Sequence, residues 1–391
     1  MVKKVYLEPL WKLRQEYEEL IENPPEGYQF ATHGSLSEGV FSRLSKFRLS
    51  YSVLFALYKV SPMQLVKPCL ERLKRIPQGT ALTYAVLHPV FRKEPWVLDM
   101  CGEQPHLLVG SEAMFRRFRG LIRRLLVSDH CRKVIYQVQI GKKALLASLE
   151  APELADKVEV IYPAVSRKSF VKQYHNRPVR LLFVGSANID AHWQFRDKGG
   201  LILLEAFVHL RQRFPDLELV IRSRVSPPVR RRCAGVANLR LIEETLPWQE
   251  LEREFMEADV FVCPAHLTPS MTFLDAMSYE LPVVTTDIWS NPELVEDGRT
   301  GLLVHHPQAH RYVRDFVAHH DWPEFEQVVN RVDPGLVAGV VGKVSTLIED
   351  PELRRRMGRE GRREVEEGKF SIKRRNKDLK KVLDEATAQA S

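Results

Sequence analysis

The chain has 391 residues, 44% of them hydrophobic, so it can bury a sizeable core. At roughly 100–200 residues per domain it should hold two domains. No apolar run approaches the roughly 18 residues of a membrane span, and Met1-Val2-Lys3-Lys4-Val5-Tyr6-Leu7 runs straight into a strand-like segment without a signal-peptide core. These features lead us to expect a cytoplasmic protein, at most peripheral to the inner face of a membrane.

The net charge of +8 is unevenly placed. Residues 41–149 carry 19 Lys and Arg against 6 Asp and Glu, a skew that suits an anionic partner or a solvated basic face. Cys69, Cys101, Cys131, Cys233 and Cys263 lie far apart, with no CxxC spacing. Reduced, buried thiols fit better than a disulfide framework or a zinc site.

Apolar β-rich runs alternate with amphipathic helix patterns from end to end, which predicts βα units and parallel sheets. In the first half Val5-Tyr6-Leu7, Ala81 to Leu87, Trp96 to Asp99 and Val134-Ile135-Tyr136 read as strands. A boundary falls near Val158 to Val165 and the polar stretch Ser166 to Arg177. The second half is clearer. Arg180 to Gly185 is a buried strand, and Leu201 to Phe214 is a helix turning Leu204, Phe207, Val208 and Leu210 to the sheet. Leu217 to Ile221, Leu239 to Ile242, Val260 to Pro264, Leu281 to Thr285 and Gly301 to Val304 complete a six-strand set. Beyond residue 350 the chain is charged and helical, over Leu353 to Glu367 and then Ile372 to Ala386. The expected domains are residues 1–168, residues 169–350 and a helical tail over 351–391, whose last helix returns to the N-terminal domain.

Pro269 to Met277 follows a strand and opens a helix, with Ser270 suited to the N-cap. The first amides of that helix have no intrahelical partner. With the helix dipole they form an anion site at the edge of a parallel sheet where ligands bind. The same residues would equally serve to cap a core helix.

A series of segments then resembles the nucleotide-sugar domain of GT-B glycosyltransferases, specifically retaining family 4, the glycosyl transferases group 1. The matching segments are Phe183-Val184-Gly185, Lys198-Gly199-Gly200 with Leu204-Glu205-Ala206-Phe207, and Ala258 to Pro264. Phe273-Leu274-Asp275-Ala276-Met277, Leu281 to Asp287, Pro292 to Gly298 and Thr300 to Val304 follow in order. Asp350 to Gly358 and Phe370-Ser371 resemble the family's tail, so the likeness covers about 175–375. It implies two Rossmann-like α/β/α domains facing across a cleft. It also implies retention of anomeric configuration without a metal, and no cofactor beyond a UDP- or GDP-type sugar donor.

By the same resemblance Lys198 faces the donor diphosphate, with Gly185, Ser186, Ser270, Met271 and Thr272 beside it. Asp275 takes the place of the carboxylate that holds the ribose hydroxyls, and Ile242 lies where the base packs. The chain also departs from the pattern. Leu267, eight residues before Asp275, replaces a sugar-facing Glu, and Ser186 replaces an Arg for which Arg196 is the candidate substitute. His266 and Thr268 are candidates for the sugar contact. In the first domain the resemblance is loose: Leu87-His88-Pro89 looks like a family strand end, and Cys101 occupies the position of a sugar-facing His. Glu103 and His106 stand close behind, His106 being the candidate catalytic partner of Lys198. Asn291-Pro292-Glu293 reads as a helix start, which accounts for the carboxylate there.

Met114, Phe115, Phe118, Leu121, Ile122, Leu125 and Leu126 share a segment with Arg116, Arg117, Arg119, Arg123 and Arg124, and Phe41 to Lys59 repeats the style. Such helices can rest on an anionic membrane or pack on a sheet with a basic outer face. No recognised module or aromatic platform accompanies the charge, so nucleic acid is not expected as a partner.

The resulting expectation is a glycosyltransferase that moves a sugar to an acceptor hydroxyl, on a glycan or a lipid-linked carrier. The alternatives are a sugar-nucleotide-binding protein with weak or lost transfer activity and a GT-B sugar-nucleotide epimerase. Residues 306–333 read as an insertion with no assigned role.

Overall fold

A computed structural model describes residues 2–9, 15–32, 76–174, 177–185, 193–309 and 325–388. The chain divides into two compact units, one of residues 1–163 with 372–391, the other of 164–315 with 323–371. The 316–322 segment, grouped with the first unit, lies outside the described residues. The division thus falls at Pro163/Ala164 instead of 168/169, and the helix Pro351–Glu366 groups with the second unit instead of a separate tail. Among the described residues no helix is long and apolar enough to cross a membrane.

The first unit holds a parallel sheet of β1 (Lys3–Pro9), β2 (Tyr28–Ala31), β3 (Thr80–Val86), β4 (Trp96–Met100), β5 (Cys131–Tyr136) and β6 (Val158–Val160). The strand order is β2-β1-β3-β4-β5-β6. Alternate side chains serve two cores, as the strand period of two requires. Leu98, Val134 and Tyr136 meet Phe115, Ile122 and Leu126 of the helix Glu112–Val127 on one side. On the other side, Val97 and Ile135 meet Leu379, Val382, Leu383 and Ala386. Those four residues form one stripe of the final helix, Ile372–Ala388, so the C-terminal helix does return to the first unit. Tyr28 donates to Asp384 Oδ1 at 2.7 Å, and Lys133 pairs with Glu385 at 2.7 Å, holding the helix in place.

The second unit holds β7 (Arg180–Val184), β8 (Glu218–Arg222), β9 (Leu239–Ile242), β10 (Val260–Val262), β11 (Val283–Thr286) and β12 (Gly301–Val304), all parallel. The order is β12-β11-β10-β7-β8-β9. The strands are near-continuous apolar runs because helices cover both faces of a parallel sheet. From β7 the chain builds outward to β9, then crosses back and builds the other way from β10. The switch therefore lies between β7 and β10, and a crevice outside their carboxyl ends is where open α/β sheets bind ligands.

Cys101, Cys131, Cys233 and Cys263 are free and buried, as expected; Cys69 lies outside the described residues.

Candidate functional site

Lys198 stands at the switch point of the second sheet. It ends the short helical turn Trp193–Asp197 and precedes the helix Gly200–Arg213. The hinge is Gly199, whose φ of +77° is left-handed and whose Cα lies so near Pro264 that a Cβ would come within 1.9 Å of the Pro264 carbonyl oxygen. The loop after β10 is tied to this hinge twice. Cys263 Sγ donates to the Lys198 carbonyl at 3.5 Å, and the His266 amide donates to the Asp197 carbonyl at 2.8 Å. The sequence Lys-Gly-Gly thus places a lysine between the ends of β7 and β10 because only glycine fits the turn behind it.

The Lys198 ammonium donates to the Val184 carbonyl at 3.3 Å, the last residue of β7. Among the described residues it forms no ion pair. Burial lowers its pKa, the Cys263 thiol opposes that, and Arg222 at the end of β8 lowers it further. A half-buried cation with a second cation nearby and no carboxylate partner makes the positive site that a diphosphate would neutralise. Gly185 lies at the same edge and donates from its amide to the Arg222 carbonyl at 2.8 Å. A Cβ at Gly185 would come within 2.1 Å of Ser223 Oγ, so the edge is closely packed there.

The helix Ser270–Ser278 starts at the adjoining loop. Its N-cap is Pro269, not Ser270, and no side chain caps it. Proline fixes its own φ and ends the loop one residue early, leaving Ser270, Met271 and Thr272 in the first turn with their amides uncapped. One turn on, Asp275 is 7% exposed and its carboxyl finds no hydrogen bond among the described residues; Oδ1 is sealed from solvent. Burial pushes this carboxyl up to about 7, Lys168 pulls it down and Glu252 pushes it up. Thr268 Oγ1 is likewise buried without a partner. Buried polar groups are normally satisfied, so an orphaned carboxylate beside an uncapped helix start asks for a ligand that donates hydrogen bonds.

Other expected site residues are placed differently. Arg196, expected to replace the Arg missing at 186, donates from Nη1 to Asn330 Oδ1 at 2.6 Å and pairs with Glu326 at 3.4 Å. Its guanidinium is committed to the helix Phe325–Asn330, within the segment that read as an insertion. Ser186 lies outside the described residues. Ile242 is buried at the carboxyl end of β9, and its carbonyl accepts the Ser223 amide at 3.0 Å. Glu293 sits in the short helix Asn291–Leu294, which is capped by Ser290, one residue earlier than the Asn291 expected. Asn291 is buried and donates to Thr285 and Thr286.

Cys101, Glu103 and His106 follow β4 in the first unit, whereas Lys198 belongs to the second. His106 is buried in the 3-10 turn Pro105–Leu108, and Cys101 joins the first unit's core. The switch of the first sheet, between β1 and β3, holds a cluster the sequence did not single out. Glu8 is buried there against Arg92, and His88 Nε2 lies 3.0 Å from the Glu8 carbonyl.

The arginine-rich helix Glu112–Val127 buries Phe115, Ile122 and Leu126 in the sheet. Arg116 pairs with Glu112, Arg119 with Glu150 and Arg123 with Glu153, so three of its five outward cations meet carboxylates. Phe41 to Lys59 lies outside the described residues.

Three functional groups of the second unit escaped the sequence reading: Arg222, Asp197 and His306. Asp197 is 3% exposed, and burial pushes its carboxyl up to about 7. Each sits at the end of a strand or turn, where only the sheet order reveals which ends converge.

Residues 178–318 match the family model of the glycosyl transferases group 1. The match covers about a third of the chain and lies almost wholly within the second unit. An alpha-maltose-1-phosphate synthase of Mycolicibacterium smegmatis is 34% identical to this chain over 143 residues, covering 34% of each chain. A D-inositol 3-phosphate glycosyltransferase of Pseudarthrobacter chlorophenolicus is 28% identical over 246 residues, 56% of this chain and 54% of that one. The matches thus span a third to just over half of these relatives' length. Among solved structures, Anabaena HepE in complex with UDP and glucose superposes with a TM-score of 0.60 at 14% identity, covering 98% of this chain and 100% of that one. A putative UDP-N-acetylglucosamine 2-epimerase from Listeria monocytogenes reaches 0.53 at 12% identity, over 98% of this chain and 96% of that one. The chain thus shares the GT-B fold, with two parallel six-stranded sheets flanked by helices. That fold also serves an enzyme named for a different reaction, so function must be argued from the site.

Proposed function

We propose that the protein is a glycosyltransferase that moves a sugar from a UDP- or GDP-type donor to an acceptor hydroxyl, with retention of configuration and without a metal. The observation that carries this is the half-buried Lys198 ammonium at the switch point, which lacks a carboxylate partner among the described residues. In the reaction the bond from the anomeric carbon to the diphosphate breaks, and a bond from that carbon to the acceptor oxygen forms. The acceptor's proton passes to the departing phosphate. Negative charge grows on the diphosphate as the bond breaks, so Lys198 and the amides of residues 270–272 stabilise the transition state more than the ground state. Asp275 accepts hydrogen bonds from the ribose hydroxyls through the carboxyl that has no partner among the described residues.

Calorimetry with UDP, GDP and their sugars, followed by a transfer assay across acceptors, tests this reading. Micromolar binding with turnover is expected. Binding without donor hydrolysis or transfer would leave a sugar-nucleotide-binding protein, a reading that Leu267 in place of a sugar-facing Glu favours. Interconversion of two sugars on the nucleotide would point to an epimerase.

The titration of Asp275 supplies a pH test. Its native pKa of about 7 lies above the usual carboxyl value, so the folded state holds this proton more tightly than the unfolded chain. That contribution to stability is complete below about pH 4 and is lost as pH rises through about 7. Asp275→Asn should therefore be more stable than the wild type at pH 8, by about 1–3 kcal/mol, with the gap closing towards pH 4. Nucleotide ribose favours the carboxylate, so wild-type affinity should rise with pH through about 7, with a proton released on binding. Asp275→Asn should bind about tenfold more weakly at pH 8, without that pH dependence. Calorimetry in buffers of different ionisation enthalpy measures the proton directly. Equal proton release by wild type and variant would remove Asp275 from the site.

A further inference from the structure

His266 leaves the carboxyl end of β10 and is 1% exposed, and His306 leaves the carboxyl end of β12 and is fully buried. Their rings stand at 84° to each other, with His266 Nδ1 2.9 Å from His306 Nε2. The other nitrogen of His306, Nδ1, lies 3.1 Å from the backbone amide of Gln308. An amide N–H only donates, so His306 Nδ1 accepts and carries no proton. The proton of His306 is then on Nε2, and it donates to His266 Nδ1. That nitrogen is an acceptor in turn, which leaves the proton of His266 on Nε2. Among the described residues His266 Nε2 has no hydrogen bond, yet it is not one of the atoms sealed from solvent.

The relay is anchored at both ends. The His306 amide donates to Asp287 Oδ1 at 2.6 Å, while Asp287 Oδ2 takes His305 Nδ1 at 2.8 Å. On the other side the His266 amide holds the Asp197 carbonyl, one residue from Lys198, and Thr286 Oγ1 donates to the Ala265 carbonyl at 2.5 Å. The ring therefore has little freedom to flip and present its other nitrogen. Burial also draws both imidazoles well down, to about 4 for His266 and about 3 for His306, with Asp333 opposing the fall at His266 and with His266 and then His305 adding to it at His306.

We infer that His266 is a sugar-positioning residue, locked as the Nε2–H tautomer by the relay from the Gln308 amide through His306, and that its Nε2–H donates to a hydroxyl oxygen of the donor sugar beside Lys198. The inference rests on the nucleotide-sugar reading and adds to it a defined donor and a defined tautomer. The phosphates are matched by a cation and by helix amides, so a neutral N–H suits the uncharged part of the same ligand. His266 does not act as a base. Its Nδ1 is occupied and its Nε2 already holds a proton. The relay also gives work to the start of the segment after β12, where His306 and Gln308 set the protonation of a residue forty positions earlier in the chain.

The test uses the full chain labelled with 15N-histidine. Long-range proton–nitrogen spectra at pH 7.5 should show His266 and His306 both protonated on Nε2 and bare on Nδ1. In calorimetry His266→Ala should raise the Kd for UDP-glucose or GDP-mannose, whichever the wild type binds, by about tenfold, and leave that for UDP or GDP within twofold. His266→Gln restores an N–H at similar reach and should recover most of the loss. His306→Ala should give a mixed tautomer signal at His266 with a smaller rise in Kd. A His266 protonated on Nδ1 or on both nitrogens overturns the proposal, as does an equal loss of nucleotide and nucleotide-sugar affinity in His266→Ala. If the wild type binds neither ligand, the nucleotide-sugar reading fails and the sugar contact with it. The nitrogen spectra still decide the relay separately.

Discussion

Lys198→Met should slow transfer by about a hundred- to a thousandfold while leaving the unliganded protein as stable as the wild type or more so. The two halves of that result have one cause. Lys198 is half-buried, its pKa is lowered first by burial and also by Arg222, and no carboxylate among the described residues offsets its charge. Such a cation costs the apo fold stability, and methionine of similar length fills the same space without that cost. The carbonyl of Val184 loses one long hydrogen bond of 3.3 Å, a small loss. In the reaction the balance reverses, because the ammonium opposes charge that develops on the leaving diphosphate. Removing one such preorganised donor costs about a hundred- to a thousandfold in rate. The Kd for UDP or GDP should rise at least about tenfold, since part of the interaction exists before the bond breaks. Lys198→Arg keeps the charge but not the compact point geometry, and should fall between the two. Thermal melts with and without nucleotide, beside single-turnover rates, measure each part. A variant that melts well below the wild type but still binds UDP or GDP normally would make Lys198 a structural residue.

The contrast between Lys198 and Arg196 shows what governed the sequence reading. Lys198 is placed by its immediate neighbours, because Gly199 and Gly200 make the turn that points it at the sheet edge, and a local cause leaves a local pattern. Arg196 lies two residues earlier, yet its partners are Glu326 and Asn330, some 130 positions away, and no local pattern carries that pairing. His266 and His306 are coupled across 40 positions in the same way. The strands of the second unit were read with nearly correct bounds because all but the edge strand β9 are buried along most of their length and so read as apolar runs. Tyr28–Ala31 was missed because it alternates buried and exposed over only four residues at a sheet edge, which leaves no continuous run. At Pro269 the turn chemistry of proline overrode the capping preference of serine, moving the helix start by one residue. Asp275 was found by its place in a family pattern, but the orphaned state of its carboxyl is a property of packing alone.

Gly199→Ala should be the most damaging single-methyl change in the second unit, and Gly298→Ala measures how much of that damage is packing. Both glycines have left-handed φ, +77° and +78°. At Gly298 an added Cβ meets nothing within 4 Å, so alanine there bears only the conformational cost, about 1–2 kcal/mol. At Gly199 the same Cβ would stand 1.9 Å from the Pro264 carbonyl oxygen and 2.5 Å from its carbon. Backbone atoms cannot swing aside as a long side chain can, so the turn at Lys198 and the loop after β10 must separate. That separation breaks the Cys263–Lys198 contact and the bond from the His266 amide to Asp197, and moves Lys198 and His266 together. A total cost of at least about 3 kcal/mol follows, a fall in Tm of about 6–12 °C for a unit of this size, against about 2–8 °C for Gly298→Ala. Nucleotide affinity should fall with Gly199→Ala and stay unchanged with Gly298→Ala, because only the first lies between the lysine and the loop. Equal melts for the two variants, with equal nucleotide binding, would mean that the close approach of Gly199 to Pro264 does not hold the site together.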